Sequence, residues 1–424
     1  MNIRSRLQHF FTPRLFNGKK LLTDSTVFCM APWIQLHAQT NGKAAPCCMS
    51  AVYDGNEIGD LMTNPNLEAV WNSSNMKQLR VNMLSGKQST ICNNCYAHER
   101  IGKTSERGTY NRDFVRYYER VKQTLPDGTL TERNVPVIDL RFSNKCNYKC
   151  RICSSEYSTL WYEEEVKLGL NPPQKEMKLV ADEKAFWESF KNMLPGVERL
   201  HFAGGEPLFM DEHYEVLEHL IAIGKTDINL TYNTNFSTLR YKKHNITELW
   251  NKFRQVDVWA SLDGMGAQGD YHRKGQRWSK IEENIREIQK ECKTVFFGVN
   301  ATVSIFNVLH IPAFYKHLVE NNFVSAERVN LYPLYSPPVF CITNLAPKLK
   351  QQVITDYETF ENTYLKLFPA NIPIKNHAKA MVTLLLSKDD NLKTEFQQPI
   401  NAVDEIRGEK FLAVFPELQE MMVG

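Results

Sequence analysis

The sequence has no strong charge of either sign. Its 424 residues carry 51 lysines and arginines against 48 aspartates and glutamates, a net +3. That balance excludes the pronounced basic bias of a polyanion-binding protein, so nucleic acid is not the expected partner. Long apolar runs are also missing. A stretch such as Val382-Thr383-Leu384-Leu385-Leu386 is far short of the roughly 18–20 residues that span a bilayer. The N-terminus lacks the apolar core of a secretory signal, although Arg4, Arg6, Arg14, Lys19 and Lys20 precede its first acid. A transit peptide, a membrane-surface helix or a solvated arm packed by Phe10, Phe11 and Phe16 all fit that start. With no signal peptide, Asn72-Ser73-Ser74 does not read as a glycan acceptor. Hydrophobic residues at 42% and charged residues at 23% exclude a disordered chain. The expectation is a cytoplasmic, enzyme-sized protein.

Cysteine is the unevenly distributed residue. There are ten, and only Cys292 and Cys341 fall after residue 153. In a reducing compartment such clustering means metal or redox chemistry rather than disulfides. Cys146-Asn-Tyr-Lys-Cys150-Arg-Ile-Cys153 places three thiols on one short loop. Three thiolates can hold three irons of a cubane cluster and leave the fourth open. A structural zinc site wants a fourth ligand, and no Cys or His lies close by in sequence to provide it. The strand Val137 to Phe142 leads directly into this loop. Ser154 or Ser155 is placed to cap a helix running through Trp161 and Val166. The loop is thus expected at the C-terminal end of a strand, where α/β barrels put their chemistry.

A second group comprises Cys29, Cys47, Cys48, Cys92 and Cys95. Four thiolates from two short segments close around either a zinc ion or an iron–sulfur cluster. The two isolated cysteines, Cys292 and Cys341, read as buried free thiols.

The triplet resembles the CxxxCxΦC motif of the radical S-adenosylmethionine (SAM) superfamily, with Ile152 at Φ. The resemblance implies that Cys146, Cys150 and Cys153 bind a 4Fe–4S cluster whose open iron is chelated by SAM. It also implies reductive cleavage of SAM to a 5′-deoxyadenosyl radical. Leu200 to Ala203 reads as a second strand, and Gly204-Gly205-Glu206-Pro207 after it is similar to the GGEP motif that holds the SAM amino group. Glycines let a backbone approach closely; the alternative is an ordinary turn. Ser261-Leu262-Asp263, ending a strand from Val256, resembles the segment that reaches the SAM ribose and methionine end, or is a strand-end turn. Arg273 stands where relatives pair a guanidinium with the SAM carboxylate, or is solvated. Thr234-Asn235-Phe236 lies where relatives read Thr-Asn-Gly, which makes Asn235 a site candidate with Phe236 in place of the usual glycine. The adenine-binding positions, around Val299 to Val303, are too degenerate to assign one by one.

Cys29, Gly42, Cys47 and Cys92-Asn-Asn-Cys95, with Pro32-Trp33 and Trp71-Asn72-Ser73, look like a SPASM/twitch segment. That resemblance implies one auxiliary iron–sulfur cluster, read as 4Fe–4S, with Cys47 favoured over Cys48 on spacing. In most relatives this segment follows the barrel; here it precedes it.

The implied architecture is α/β. Residues 1–135 form the auxiliary-cluster region, 136–340 a partial (β/α)6 TIM-like barrel, and 341–424 a helical region. Strands are expected at 137–142, 198–203, 227–232, 256–261, 295–303 and 327–332. Helices are expected at Asp182–Leu194, Trp278–Lys290 and Ile311–Glu320, then at Lys348–Leu367, His377–Leu386 and Ala402–Met421. The implied function is radical modification of a peptide or protein, with a reductase or flavodoxin-type protein as electron donor. The alternatives are oxidation or epimerisation of a small molecule or sugar, and, from another class, a zinc-binding interaction protein on a degenerate barrel.

Overall fold

The computed structural model describes residues 19–52, 55–100, 105–132, 134–387 and 390–422. The basic and aromatic residues before Asn17 lie outside them. The chain forms two compact units, Met1–Phe142 with Lys178–His201, and Ser143–Met177 with Phe202–Gly424. Among the described residues no helix is long and apolar enough to cross a membrane.

The first unit is built on β1 (Gln35–Ala38), β2 (Lys43–Ala45), β3 (Gly59–Asp60), β4 (Val137–Leu140) and β5 (Arg199–Phe202, whose last residue belongs to the second unit). They lie in the order β5-β4-β1-β2-β3. β1 and β2 form an antiparallel hairpin, and β1 runs parallel to β4 with Leu36 beside Ile138. Both β1 and β4 are buried along their whole length, polar Gln35, His37 and Asp139 included. The hairpin turns at Gly42, whose φ is +84°. A Cβ there would lie 2.7 Å from Met62 Cγ and 2.8 Å from the Leu179 carbonyl, so only glycine fits.

A buried arginine ties this unit's loops together. Arg80 lies in the helix Ser74–Leu84, which the Ser73 hydroxyl caps by accepting from Met76 N–H at 3.2 Å. Its guanidinium donates to the carbonyls of Pro32 (2.9 Å), Trp71 (2.8 Å) and Gly128 (3.2 Å) and to Asn72 Oδ1 (2.9 Å), and it lies 4.6 Å from the Trp71 ring centre. Asn72 in turn donates to the Leu130 carbonyl and accepts from the Leu130 N–H.

The second unit carries β6 (Asn229–Thr234), β9 (Gln255–Ser261), β10 (Val295–Val303) and β11 (Val329–Pro333), all parallel and in that order, with a small hairpin of β7 (Arg240–Tyr241) and β8 (His244–Asn245). The crossover helix Trp278–Glu291 buries Ile281, Asn284, Ile285 and Ile288, one face at helical spacing. The alternating α/β class expected from the sequence is what the structure has, and each expected strand is found within about two residues of its place. The helices Glu183–Met193 and Ile311–Glu320 match as closely. Two expectations fail. Neither Ser154 nor Ser155 caps a helix: the helix begins at Tyr162, and Ser155 N–H instead donates to Glu165 Oε1 at 2.8 Å. The helix expected over Ala402–Met421 is broken. Lys393–Arg407 ends on Gly408, whose φ of +63° turns the chain before Phe411–Val414.

Replacing Arg80 by Met should destabilise the first unit by roughly 2–4 kcal/mol, because three buried carbonyls lose their donor. Urea unfolding followed by tryptophan fluorescence measures this. An unchanged midpoint would show that water replaces the guanidinium without cost.

Candidate functional site

In the second unit, the loop from Cys146 to Cys153 is fixed by its backbone. Lys149 N–H donates to the Lys274 carbonyl at 2.9 Å, and Arg151 N–H to that of His272 at 2.8 Å. Trp161 Nε1 donates to the Cys150 carbonyl at 2.8 Å, and the Ser158 hydroxyl to that of Tyr148 at 2.5 Å. Gly275, with φ +111°, makes room: a Cβ there would stand 2.8 Å from Tyr148 Cδ1 and 2.9 Å from the Asn147 carbonyl. Burial first, and the neighbouring thiols after it, push Cys146 up and Cys153 up to about 12. Cys150 is also raised by burial, with Arg273 easing the shift. Such thiols ionise at neutral pH only when a metal cation meets them, which is the chemistry of a cluster-binding set.

Gly204 to Pro207 pack onto the strand end that leads into this loop. Gly205 N–H donates to the Ser143 carbonyl at 3.1 Å and Glu206 N–H to that of Lys145 at 2.7 Å. A Cβ on Gly205 would fall 2.1 Å from the Lys145 carbonyl oxygen. This glycine is therefore required by backbone meeting backbone. The Glu206 side chain is fully buried. Its carboxyl accepts from the Thr234 hydroxyl (2.6 Å), Asn235 N–H (2.6 Å) and Leu208 N–H (3.0 Å). Burial outweighs these donors and raises Glu206 to about 7. The guanidinium of Arg273 also draws it down but does not offset the burial.

Asn235 joins the two segments. Its Nδ2 donates to Asn147 Oδ1 at 2.8 Å and lies 3.9 Å from Cys146 Sγ. The glycine absent from Thr234-Asn235-Phe236 is replaced without loss of the turn. Phe236 adopts φ +58°, is fully buried, and sets its ring 5.0 Å from that of Phe297. Across the loop, Arg273 places NH1 3.7 Å from Cys150 Sγ, while its Nε donates to Asp263 Oδ2 at 2.7 Å. Asp263 Oδ1 accepts from Thr302 N–H at 2.7 Å. Both oxygens of this buried carboxylate are therefore engaged within the protein, and the residue positions Arg273. Ser261, at the end of β9, and Ile152, in the loop, are half-buried. The structure thus brings Cys146, Asn147 and Asn235 together, and Cys150, Arg273 and Asp263 together, with Glu206 beneath Asn235.

In the first unit, Cys29, Cys47, Cys92 and Cys95 line one pocket. Cys29 precedes the short helix Ala31–Ile34; Cys92 and Cys95 lie at and just after the junction of the turn Thr90–Cys92 with the helix Asn93–Arg100. Burial raises all four thiols, Cys47 and Cys92 to about 12; neighbouring thiols add to this at Cys29, Cys47 and Cys92, and Glu99 and Glu106 at Cys95. Cys48 is exposed and does not line the pocket. Among the described residues, no three His, Cys, Asp or Glu side chains stand close enough to grip one metal ion. Zinc bonds of about 2.3 Å would need the four sulfurs drawn tightly round a single atom. Four thiols lining one pocket are a donor set that suits either a zinc ion or an iron–sulfur cluster. Of the lone cysteines, Cys341 is buried and Cys292 half-buried.

Two features were not foreseen from the sequence. Arg107 lines the pocket and is locked by Glu99 through two bonds of 2.8 Å. On β1, β4 and β5, Asp139 Oδ2 stands 2.9 Å from His37 Nδ1 and 3.2 Å from His201 Nδ1. Burial alone would raise Asp139, but the two imidazoles hold it well below the usual carboxylate range. Such a triad joins residues far apart in the chain and leaves no spacing signature.

Residues 29–96 match the family model of the SPASM iron–sulfur cluster-binding domain. Over 177 residues, 40% of this chain, the sequence is 27% identical to the S-adenosylmethionine-dependent nucleotide dehydratase RSAD2 of Siniperca chuatsi. The chain spans 44% of that relative's length. Among solved structures, polyhistidine-tagged anSMEcpe with bound AdoMet is 20% identical, with 54% of this chain and 60% of that chain covered at a TM-score of 0.38. Native anSMEcpe with bound AdoMet and Cp18Cys peptide is also 20% identical, with 54% and 61% covered at a TM-score of 0.34. Overlaps that distant assign no residue. The SPASM match and the SAM-dependent relative bear out the resemblance to radical SAM proteins with a SPASM-type segment.

The pocket separates Cys47 from Cys48. Cys47→Ala should lose roughly half of the protein's iron after anaerobic reconstitution, and Cys48→Ala should lose none. Iron and sulfide assays on both variants decide it. Equal losses would mean that the two neighbours share the ligand role.

Proposed function

We propose that this chain is a radical SAM enzyme with one auxiliary cluster, and that it modifies a peptide or protein. The reading divides it into an auxiliary-cluster region over 1–135, a SAM-binding core over 136–340 and a helical region over 341–424. The observation that carries the reading is the pairing of opposite charges around the thiols of Cys146, Cys150 and Cys153. A fully buried carboxyl, Glu206, lies on one side, and a buried guanidinium, Arg273, on the other. The methionine end of SAM is an ammonium beside a carboxylate, and these two groups complement it.

When bound, the cluster and SAM supply one-electron cleavage of SAM to a 5′-deoxyadenosyl radical, with the electron delivered by a reductase or flavodoxin-type protein. The protein's own work is placement and charge. Cys146, Cys150 and Cys153 hold the cluster. Glu206 takes the ammonium and is itself held by Thr234, Leu208 and Asn235. Arg273, aimed by Asp263, takes the carboxylate. Asn235 and Asn147 fix the rim beside Cys146. Cys29, Cys47, Cys92 and Cys95 hold the auxiliary cluster, in keeping with the SPASM match. A small-molecule substrate is the second reading, favoured by the nucleotide dehydratase among the relatives. Stimulation of 5′-deoxyadenosine release by peptide libraries, set beside nucleoside triphosphates, distinguishes the two.

Cys146→Ala, Cys150→Ala and Cys153→Ala should each abolish 5′-deoxyadenosine formation with dithionite as reductant. Wild-type turnover in any of them would sink the assignment.

Glu206→Gln should weaken SAM binding about ten- to a hundredfold, the worth of one charge-assisted hydrogen bond, while the iron content stays at the wild-type level. Because Glu206 is raised to about 7, the carboxylate that SAM needs is lost as the pH falls through that value. Wild-type affinity should therefore drop by up to about tenfold per pH unit below 7, and the Gln variant should show no such slope. Calorimetric titrations between pH 6 and 8 test both. Identical slopes would remove Glu206 from the site.

A further inference from the structure

The C-terminal residues carry no catalytic motif, yet their charges converge on the residues either side of Cys150. Arg151 NH2 donates to Asp404 Oδ1 and to Glu409 Oε2, both at 2.5 Å, and its guanidinium lies 3.8 Å from the Tyr271 ring centre. Asp404 is buried and fully used: Oδ1 also accepts from the Tyr271 hydroxyl at 2.7 Å, and Oδ2 from Phe411 N–H at 2.6 Å. On the other side Lys149 pairs with buried Glu164, whose Oε2 also accepts from Arg407 NH2 at 2.7 Å. The Arg407 guanidinium lies 4.8 Å from the ring centre of Trp161, the residue that donates to the Cys150 carbonyl. Lys274, whose own carbonyl accepts from Lys149 N–H, pairs with Glu409 at 2.5 Å. The left-handed Gly408 makes this possible by turning Glu409 and Phe411 back onto Asp404.

From this arrangement we propose that the segment from Asp404 to Phe411 is a clamp on the cluster loop, with Asp404, Arg407 and Glu409 as positioning residues for Cys150. The inference rests on the reading of Cys146, Cys150 and Cys153 as cluster ligands. The clamp does two things. It fixes the loop mechanically from both sides of Cys150. It also neutralises Lys149 and Arg151, two cations of the loop itself, and leaves Arg273 as the guanidinium directed at a thiol. A cation released beside a cluster stabilises its reduced, more negative form. Loss of the clamp should therefore raise the cluster's reduction potential as well as loosen it. A purely structural contact elsewhere in the helical region would do neither.

The test uses the full-length reconstituted protein and two variants, Asp404→Asn and Glu409→Gln. Two quantities are read. One is the rate of iron loss to a ferrous chelator, counting only the phase that the Cys146/Cys150/Cys153 triple Ala variant lacks. The other is the potential of the electron-paramagnetic signal that added SAM perturbs. Iron loss should quicken roughly tenfold in Asp404→Asn, the effect of one buried charged hydrogen bond. The potential should move upward in Asp404→Asn and Glu409→Gln, each of which removes one of the two carboxylates that neutralise Arg151. Glu409→Gln is the milder change, since Asp404 still holds Arg151, and it serves if Asp404→Asn does not fold. Wild-type iron loss and potential in folded Asp404→Asn and Glu409→Gln would overturn the clamp while leaving the cluster reading intact. A wild-type protein with no chelator-sensitive phase dependent on Cys146, Cys150 and Cys153 would overturn the reading and the clamp together.

Discussion

A thiol removed from water stays protonated unless a cation meets it, and the organisation of both units follows from that constraint. Seven cysteines face it. Three lie on one loop and four line one pocket, and burial holds all of them above their ordinary range. Thiols buried in this way stay protonated until a metal ion meets them. The surroundings follow the same rule. Arginines reach Cys150 in one unit and the pocket of Cys29 and Cys95 in the other, and each is held by an acid that keeps it aimed: Arg273 by Asp263, Arg107 by Glu99.

The polar interior of the first unit obeys it as well. Among the described residues, no carboxylate pairs with buried Arg80, which takes backbone carbonyls instead. The segments bearing Pro32, Trp71 and Gly128 thereby share one donor, and Pro32 is among the residues lining the cysteine pocket. The fold of this unit and the shape of its cysteine pocket are thus coupled through one guanidinium. Asp139 solves the same problem with two imidazoles.

Much of this was readable from the chain. The strands were legible because apolar runs of four to nine residues recur between helical stretches. The cysteine spacings grouped the thiols as the fold does, and Cys47, which the spacing favoured, lines the pocket while Cys48 does not. What escaped was whatever depends on contacts between distant segments. Ser154 and Ser155 have the chemistry of helix caps, but Asn144 and Glu165 claim the backbone at Ser155 first. Asp263 reads as a ligand-facing acid; folding gives both of its oxygens to Arg273 and Thr302. The residues from Asp404 to Glu409 have no motif, and their relation to Arg151 is invisible until a left-handed glycine turns the chain.

The backbone at Phe236 has a consequence for how this loop can vary. A non-glycine residue in the left-handed region costs roughly 1–2 kcal/mol. Here that strain is balanced by a ring buried against Phe297, while the Phe236 carbonyl accepts from buried Asn284. The turn and the packing between β6 and β10 are therefore one unit of inheritance. A glycine at 236 would relax the backbone but empty a phenylalanine-sized volume, and a smaller side chain would keep the strain and lose the ring. Substitutions at 236 and 297 should consequently appear together or not at all in the descendants of this chain.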